Sequence, residues 1–208
     1  MLIFDLDGTI SDPLPGIAQA INHALSEFGY STLAEQEVAP FVGPPLEGTF
    51  RHLTGAERPH VLELIASYRD CYRDSCTQNT VYEGVPETLE SLAATGVRMG
   101  ICTSKRADFA ERILEHLGLR QHFQFVSGGD IGVEKWQQLE ALKAAGMLQP
   151  HAMMIGDRAV DIHAGRRNGL RTGGVLWGFG SQEELQGAGP DVIFQTPGEW
   201  LGVPVLSF

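Results

Sequence analysis

The residues most capable of chemistry in this sequence are aspartates that follow short apolar segments. Asp5 and Asp7 come directly after Leu2-Ile3-Phe4, and Asp157 and Asp161 follow a second apolar segment. Carboxylates that converge on one point repel each other unless a hard cation balances them, and Mg²⁺ prefers carboxylate and water oxygens. The pattern therefore predicts that these four aspartates hold Mg²⁺.

Two hydroxyls and a lysine add the means to bind an anion. Thr103 and Ser104 follow the predicted strand 97–102, and Lys135 begins a helical segment. Each is ordinary by itself, since Thr103-Ser104 is typical of a helix N-cap and a lone lysine is usually solvated. Because they follow predicted strands in order, together they favour a phosphate-binding site, in which Lys135, hydroxyls and loop N–H groups hold phosphate oxygens.

The two aspartates of the first loop suit different roles because they occupy alternating positions. Asp5 ends the predicted strand and is placed to attack phosphorus, which would form an aspartyl-phosphate. Asp7 is placed to give a proton to the leaving alcohol and later to take one from the hydrolytic water. Gly8 permits the tight turn that follows. The chemistry predicted is hydrolysis of a phosphomonoester.

The elements that must position these residues alternate between strands and helices. Such alternation predicts an α/β fold with a parallel sheet and right-handed crossovers, in which ligands bind at the carboxyl ends of the strands. The predicted strands are 2–4, 97–102, 123–127, 152–155, 173–177 and 191–194, and the predicted helices between them are 87–94, 106–117, 135–145 and 160–168.

A helical segment interrupts this alternation after the first strand. Ile17, Ile21, Leu25 and Phe28 recur at helical spacing, and a second helical stretch follows a Pro/Gly-rich break. We therefore predict two sequence pieces of core, 1–13 and 81–208, with an inserted all-helical unit at 14–80.

The charge and composition of the chain limit the kinds of partner that it can bind. The 208 residues carry a formal net charge of −11, which argues against nucleic acid and anionic membranes because both select basic surfaces. No segment has the pattern of a membrane span or a signal peptide, and the three cysteines lack metal-ligand spacing. We expect a cytoplasmic protein, a monomer or homodimer, whose partner is a small phosphorylated molecule.

Four segments resemble a known family. The segment 5–12, DLDGTISD, resembles the first motif of the haloacid dehalogenase superfamily, DxDGT(L/I/V)xD. Thr103 resembles the second motif, Lys135 the third, and the segment 156–161, GDRAVD, the fourth. The resemblance implies a Rossmann-like core with a C1-type helical cap, Mg²⁺ and an aspartyl-phosphate intermediate.

The resemblance also implies a role for each matching residue. Asp5 would be nucleophile and metal ligand, and Asp7 would be acid/base and would ligate metal through its carbonyl. Thr103 and Lys135 would bind phosphate. Asp157 would bind the metal directly, and Asp161 would support the metal site from close by. Lys135 is followed by Trp136 where the family commonly has proline, so Lys105 competes for the phosphate-binding role.

Three further segments, 41–47, 82–85 and 174–180, resemble the phosphoglycolate phosphatase-like group. In that group the matching cap segment helps select substrate, which makes Glu47 and Arg51 candidate specificity residues; a solvated surface arginine is the alternative for Arg51. The expected activity is that of a phosphatase on a phosphoglycolate-like monoester. A β-phosphoglucomutase-like phosphomutase, a 5′-nucleotidase-type phosphatase and a non-catalytic phosphate-binding protein remain alternatives.

Overall fold

The structure is a computed structural model, and it describes residues 1–204. The last four residues of the predicted core segment, 205–208, lie outside that range. The strands in chain order are β1 Leu2–Phe4, β2 Ser11–Asp12, β3 Thr80–Val81, β4 Met99–Thr103, β5 Val126–Gly128, β6 Met153–Gly156, β7 Arg171–Val175 and β8 Val192–Phe194.

Six of these strands form one parallel sheet, in the order β5-β4-β1-β6-β7-β8. β1 lies in the middle, pairing Leu2 with Met99 on one side and with Met153 on the other. Each connection between strands that follow one another in this sheet contains a helix, as parallel pairing requires. The prediction of an α/β fold with a parallel sheet is confirmed.

Helices cover both faces of this sheet and also form the inserted segment. In chain order they are α1 Leu14–Glu27, α2 Glu35–Val38, α3 Leu46–Thr54, α4 Arg58–Ser75, α5 Val85–Ala94, α6 Ala107–His116, α7 Lys135–Ala144, α8 Ala159–Arg167 and α9 Gln182–Ala188. Within residues 1–204, no helix combines the length and the apolar character needed to cross a bilayer.

The central strand is apolar throughout because it is covered on both faces. Leu2 and Phe4 belong to one buried cluster, while Ile3 packs in another with Cys102 and Met154. A strand buried on both sides reads as a continuous apolar run rather than an alternating one. Burial of β1 therefore fixes the position of the loop that begins at Asp5.

The inserted helices α1 to α4 lie between β2 and β3. These two short strands pair antiparallel, with Ser11 opposite Val81 and Asp12 opposite Thr80. The sequence does not predict this ribbon, because two residues per strand are too few to show alternation. Helices α1 and α4 pack against each other. The division into 1–13, 14–80 and 81–208 as separate domains stays a prediction.

Most predicted elements occur with shifted ends. The strand predicted at 173–177 is β7 at Arg171–Val175, and the strand predicted at 123–127 is β5 at Val126–Gly128. Helix α5 begins at Val85 rather than at 87, because Pro86 is tolerated in the first turn of a helix. Helix α9 was not predicted, since it buries only Leu185 and Ala188.

Candidate active site

The loop after β1 carries the first predicted site residue. The backbone N–H of Asp5 donates to the carbonyl of Ile155 at 2.8 Å, which extends the β1–β6 ladder by one residue. One carboxylate oxygen of Asp5 accepts from the Leu6 N–H at 2.8 Å. The other lies 3.0 Å from the ammonium nitrogen of Lys135. The backbone ladder and these two contacts hold a buried carboxylate at the carboxyl edge of the sheet.

Asp7 has a lysine of its own. Lys105 Nζ lies 3.0 Å from Asp7 Oδ2 and donates to the Tyr72 hydroxyl oxygen at 2.6 Å. Tyr72 belongs to α4, so this contact joins the inserted helices to the sheet edge. Burial raises the pKa of Asp7, although the nearby Lys105 charge acts in the opposite direction. A carboxyl group with a raised pKa is suited to carry a proton near neutral pH.

The loop after β6 brings Asp157 and Asp161 to the same place. One carboxylate oxygen each from Asp5, Asp157 and Asp161 lies within 4.8 Å of the others. Asp161 also forms a short contact with Lys135 Nζ and accepts from the Arg158 N–H at 3.1 Å. The structure therefore brings together the carboxylates that the sequence places far apart.

The pKa values reflect this crowding. Burial raises the pKa of Asp157 well above its usual range, and the charges of Asp161 and Asp5 raise it further. Burial likewise raises the pKa of Asp161 to about 6. For Lys135, burial alone would lower the pKa, but the charges of Asp161 and Asp5 outweigh burial and raise it. Lys135 therefore stays charged, but its single positive charge does not balance the carboxylates around it.

Two glycines make room for the Asp157 carboxylate. A Cβ atom placed on Gly8 would lie 2.2 Å from Asp157 Oδ2, and one placed on Gly178 would lie 2.3 Å from the Asp157 Cβ. Gly8 also has a φ of +80°, a conformation that favours glycine. The Phe179 N–H donates to Asp157 Oδ2 at 2.8 Å. These contacts fix the direction in which the carboxylate points.

The donor set fits a divalent cation. Three buried carboxylates, those of Asp5, Asp157 and Asp161, converge within 4.8 Å of one another with Lys135 as the ammonium group beside them. Asp7 Oδ1 is buried and has no hydrogen-bond partner among residues 1–204. Oxygen ligands of this kind suit a hard divalent cation.

A cavity opens in front of Asp5 and Asp7. Thr103, Ser104 and Lys105 line it at the end of β4, and phosphate binding by the two hydroxyls stays a prediction. The Thr103 hydroxyl oxygen accepts from the Lys105 N–H at 3.2 Å, so its own hydrogen is available to a ligand. Lys135 lies behind Asp5 rather than on the cavity wall, whereas the competing Lys105 is part of the wall.

The two candidate specificity residues are placed differently from each other. Glu47 lines the cavity. The Arg51 side chain is 57% exposed and donates to Glu47 Oε1 at 3.1 Å, and Arg58 donates to the same oxygen at 3.2 Å. Arg51 is not among the described residues that line the cavity. The structure therefore brings Glu47, but not Arg51, to the cavity.

Several site contacts were not predicted from the sequence. Arg69 of α4 lines the cavity and donates to Asp130 at 2.7 Å. Arg158 donates to the Val42 carbonyl at 2.7 Å and to Glu184 at 3.0 Å. For the loop that packs on Asp157 the sequence does carry a signal, the pair of glycines at 178 and 180, which served above only as a sign of the subgroup.

A parallel sheet with an acidic site at its carboxyl edge is a Rossmann-like arrangement, in which ligands bind at the ends of the strands. Residues 2–175 match the family described as haloacid dehalogenase-like hydrolase. The chain belongs to that family. Since its relatives include phosphatases that match almost the whole chain, it is an enzyme that hydrolyses phosphoric monoesters.

The relatives fall into more than one substrate group. A 5′-nucleotidase of Pseudomonas aeruginosa is 33% identical over 194 positions, covering 91% of this chain and 88% of that protein. A phosphoglycolate phosphatase of Colwellia psychrerythraea is 30% identical, covering 97% and 95%. The crystal structure of a predicted phosphatase from Clostridium acetobutylicum superposes with a TM-score of 0.90 at 31% identity, covering 97% and 98%.

Proposed function

We propose that this chain is a Mg²⁺-dependent phosphatase that hydrolyses a small phosphoglycolate-like monoester through an aspartyl-phosphate on Asp5. The observation that carries the proposal is the arrangement of Asp5 and Asp7 on one cavity wall, each beside a lysine. The carboxylates of Asp5, Asp157 and Asp161 and the backbone carbonyl of Asp7 would hold the metal. Bound Mg²⁺ would screen the negative charge of the phosphate from the attacking carboxylate.

The first half of the reaction transfers the phosphoryl group. A carboxylate oxygen of Asp5 attacks phosphorus, the bond from phosphorus to the alcohol oxygen breaks, and Asp7 donates its proton to that oxygen. Thr103 and Ser104 hold phosphate oxygens from the end of β4, and Lys135 and Lys105 offset charge on either side.

The second half releases phosphate. A water attacks the phosphorus of the aspartyl-phosphate, Asp7 takes a proton from that water, and the bond from phosphorus to Asp5 breaks. The products are inorganic phosphate and the free carboxylate, with Asp7 again protonated. Burial of Asp7 supports both transfers, because a raised pKa brings its protonated and ionised forms closer in free energy near neutral pH.

Replacement of the nucleophile tests this proposal. We expect Asp5→Asn to lower phosphate release by about three orders of magnitude or more, because an amide oxygen is a poor nucleophile. Release would be measured over a panel of phosphorylated metabolites with Mg²⁺ and with chelator. Asp74→Asn, an exposed aspartate of α4, is the matched control and should keep full activity.

Retained release in a folded Asp5→Asn protein would overturn the aspartyl-phosphate route. The same panel separates the alternatives. Conversion of β-glucose 1-phosphate to glucose 6-phosphate without net phosphate release would indicate a phosphomutase. A preference for nucleoside monophosphates would favour the nucleotidase alternative, which is supported by the aromatic rings of Phe41, Tyr68 and Phe109 on the cavity wall.

A further inference from the structure

The inserted helices contribute one cation to the cavity wall within residues 1–204, the guanidinium of Arg69 on α4. It donates from Nη2 to Asp130 Oδ1 at 2.7 Å, and Asp130 lies in the loop after β5. Both residues line the same cavity as Asp5 and Asp7. An arginine and a carboxylate are thus paired inside the space that a substrate would occupy.

The other cations near the cavity have different acidic partners from that of Arg69. Lys105 and Lys135 lie beside buried aspartates, and Arg106 is paired with Asp108, two residues further along the chain. The Arg69 side chain is 22% exposed, whereas its partner Asp130, on a different element, is 61% exposed. Because Asp130 is mostly in water, its ion pair with Arg69 is screened and contributes little net free energy, so a competing carboxylate replaces Asp130 at low cost.

We propose that Arg69 binds a carboxylate on the leaving group of the substrate, in place of Asp130. The guanidinium fork matches a carboxylate with two parallel hydrogen bonds, and Asp130 already shows that a carboxylate fits there. The inference rests on the proposed phosphatase function and narrows its substrate class to monoesters of hydroxy acids. A nucleoside leaving group has no such anion and would gain nothing from Arg69.

A matched pair of substrates tests the role of Arg69. 2-Phosphoglycolate carries a carboxylate, and 2-hydroxyethyl phosphate has the same chain length with a neutral hydroxyl. We expect Arg69→Gln to lower kcat/KM for 2-phosphoglycolate about tenfold or more, because a charge-assisted hydrogen bond is lost. For 2-hydroxyethyl phosphate the change should stay below about threefold. Arg69→Lys keeps the charge without the fork and should fall between.

The partner variant should act in the opposite direction. Asp130→Asn removes the competing charge, while its amide oxygen can still accept from the Ile131 N–H, as Asp130 Oδ1 does at 2.7 Å. We expect the KM for 2-phosphoglycolate to fall about threefold or more in this variant, because Arg69 becomes free. A merely structural role of the ion pair would instead make both variants worse.

Arg73→Gln provides the control. Arg73 lies one turn along α4 and forms an exposed ion pair with Asp70, so its loss should leave both substrates unaffected. Equal losses for both substrates in Arg69→Gln, or no preference of the unaltered protein for 2-phosphoglycolate over 2-hydroxyethyl phosphate, would overturn the inference. A lack of phosphate release from every ester in the unaltered protein would instead show that the proposed function itself is wrong.

Discussion

Asp157 shows how closely a single side chain is constrained at this site. Gly8 and Gly178 face its carboxylate so closely that neither position has room for a Cβ atom. The Thr9 hydroxyl and the Phe179 N–H donate to its two oxygens, at 3.5 and 2.8 Å. Outer contacts of this kind orient a metal ligand and tune its affinity.

Gly178→Ala should therefore weaken metal binding. The new Cβ would lie 2.3 Å from both the Asp157 Cβ and the Gly8 carbonyl oxygen, so the carboxylate or the loop must move. We expect Mg²⁺ affinity to fall about tenfold or more, measured by the Mg²⁺ dependence of activity and by calorimetric titration. Gly198→Ala is the control, because nothing lies within 4 Å of the added atom there. Equal affinity in the two variants would contradict the role of Gly178.

The sequence predicts the residues of the site better than it predicts their partners. Asp5, Thr103 and Asp157 follow apolar strands, and a parallel sheet brings strand ends to one edge, so their proximity follows from the pattern. The contact between Arg69 and Asp130 joins residues 61 positions apart, on a helix and a loop. No local periodicity reports such a contact, because it depends on how the inserted helices pack over the sheet.

At the scale of elements, Arg158 links three parts of the fold. Its backbone N–H caps the α8 start through Asp161, while its side chain binds Glu184 of α9 and the Val42 carbonyl. Phe41 and Gly43, the neighbours of Val42, line the cavity. A change at Arg158 therefore moves a segment of the cavity wall without removing a group from the reaction.

We expect Arg158→Gln to raise KM severalfold with little change in kcat. The variant loses charge-assisted hydrogen bonds worth about 1–3 kcal/mol, which corresponds to a Tm lower by several degrees for a chain of this length. Arg166→Gln is the control, since Arg166 joins α8 only to the end of α9, through the Ala188 and Gly189 carbonyls. It should lower Tm and leave KM unchanged. A similar rise of KM in both variants would show that general destabilisation is responsible.

Long, strongly patterned elements were predictable and short ones were not. The strands predicted at 97–102 and 152–155 were placed within two residues because each is mostly apolar. The ribbon of β2 and β3 has two residues per strand, and α9 has seven residues with little apolar repeat. Tertiary contacts rather than local propensity stabilise such elements, so sequence patterns report them poorly.

At the scale of the whole molecule, the acidic site makes stability depend on pH and metal together. Burial raises the pKa of Asp161 to about 6, and it also raises the pKa of Asp157. Between the unfolded value of about 3.9 and these higher values, the folded chain binds more protons than the unfolded chain. The contribution of these groups to stability is therefore present at low pH and is lost as pH rises through that range.

Mg²⁺ should offset this loss, because it binds the ionised carboxylates and only the folded chain assembles the site. We expect saturating Mg²⁺ to raise Tm more at pH 7.5 than at pH 5, measured by thermal unfolding with Mg²⁺ and with chelator. Asp157→Asn should reduce the shift at both pH values. A shift at pH 5 equal to or larger than that at pH 7.5 would contradict the assignment of these carboxylates to the metal.

The β2–β3 ribbon has a consequence for how this molecule can change over evolution. Ser11 and Val81 face each other across paired strands, so the chain leaves the sheet and returns to it at neighbouring points. Any helical unit whose two ends lie about 5 Å apart would fit the same opening. Exchange of that unit would change the cavity wall and leave the aspartates of the site unchanged. New substrates could then be reached by replacing one contiguous stretch of the gene.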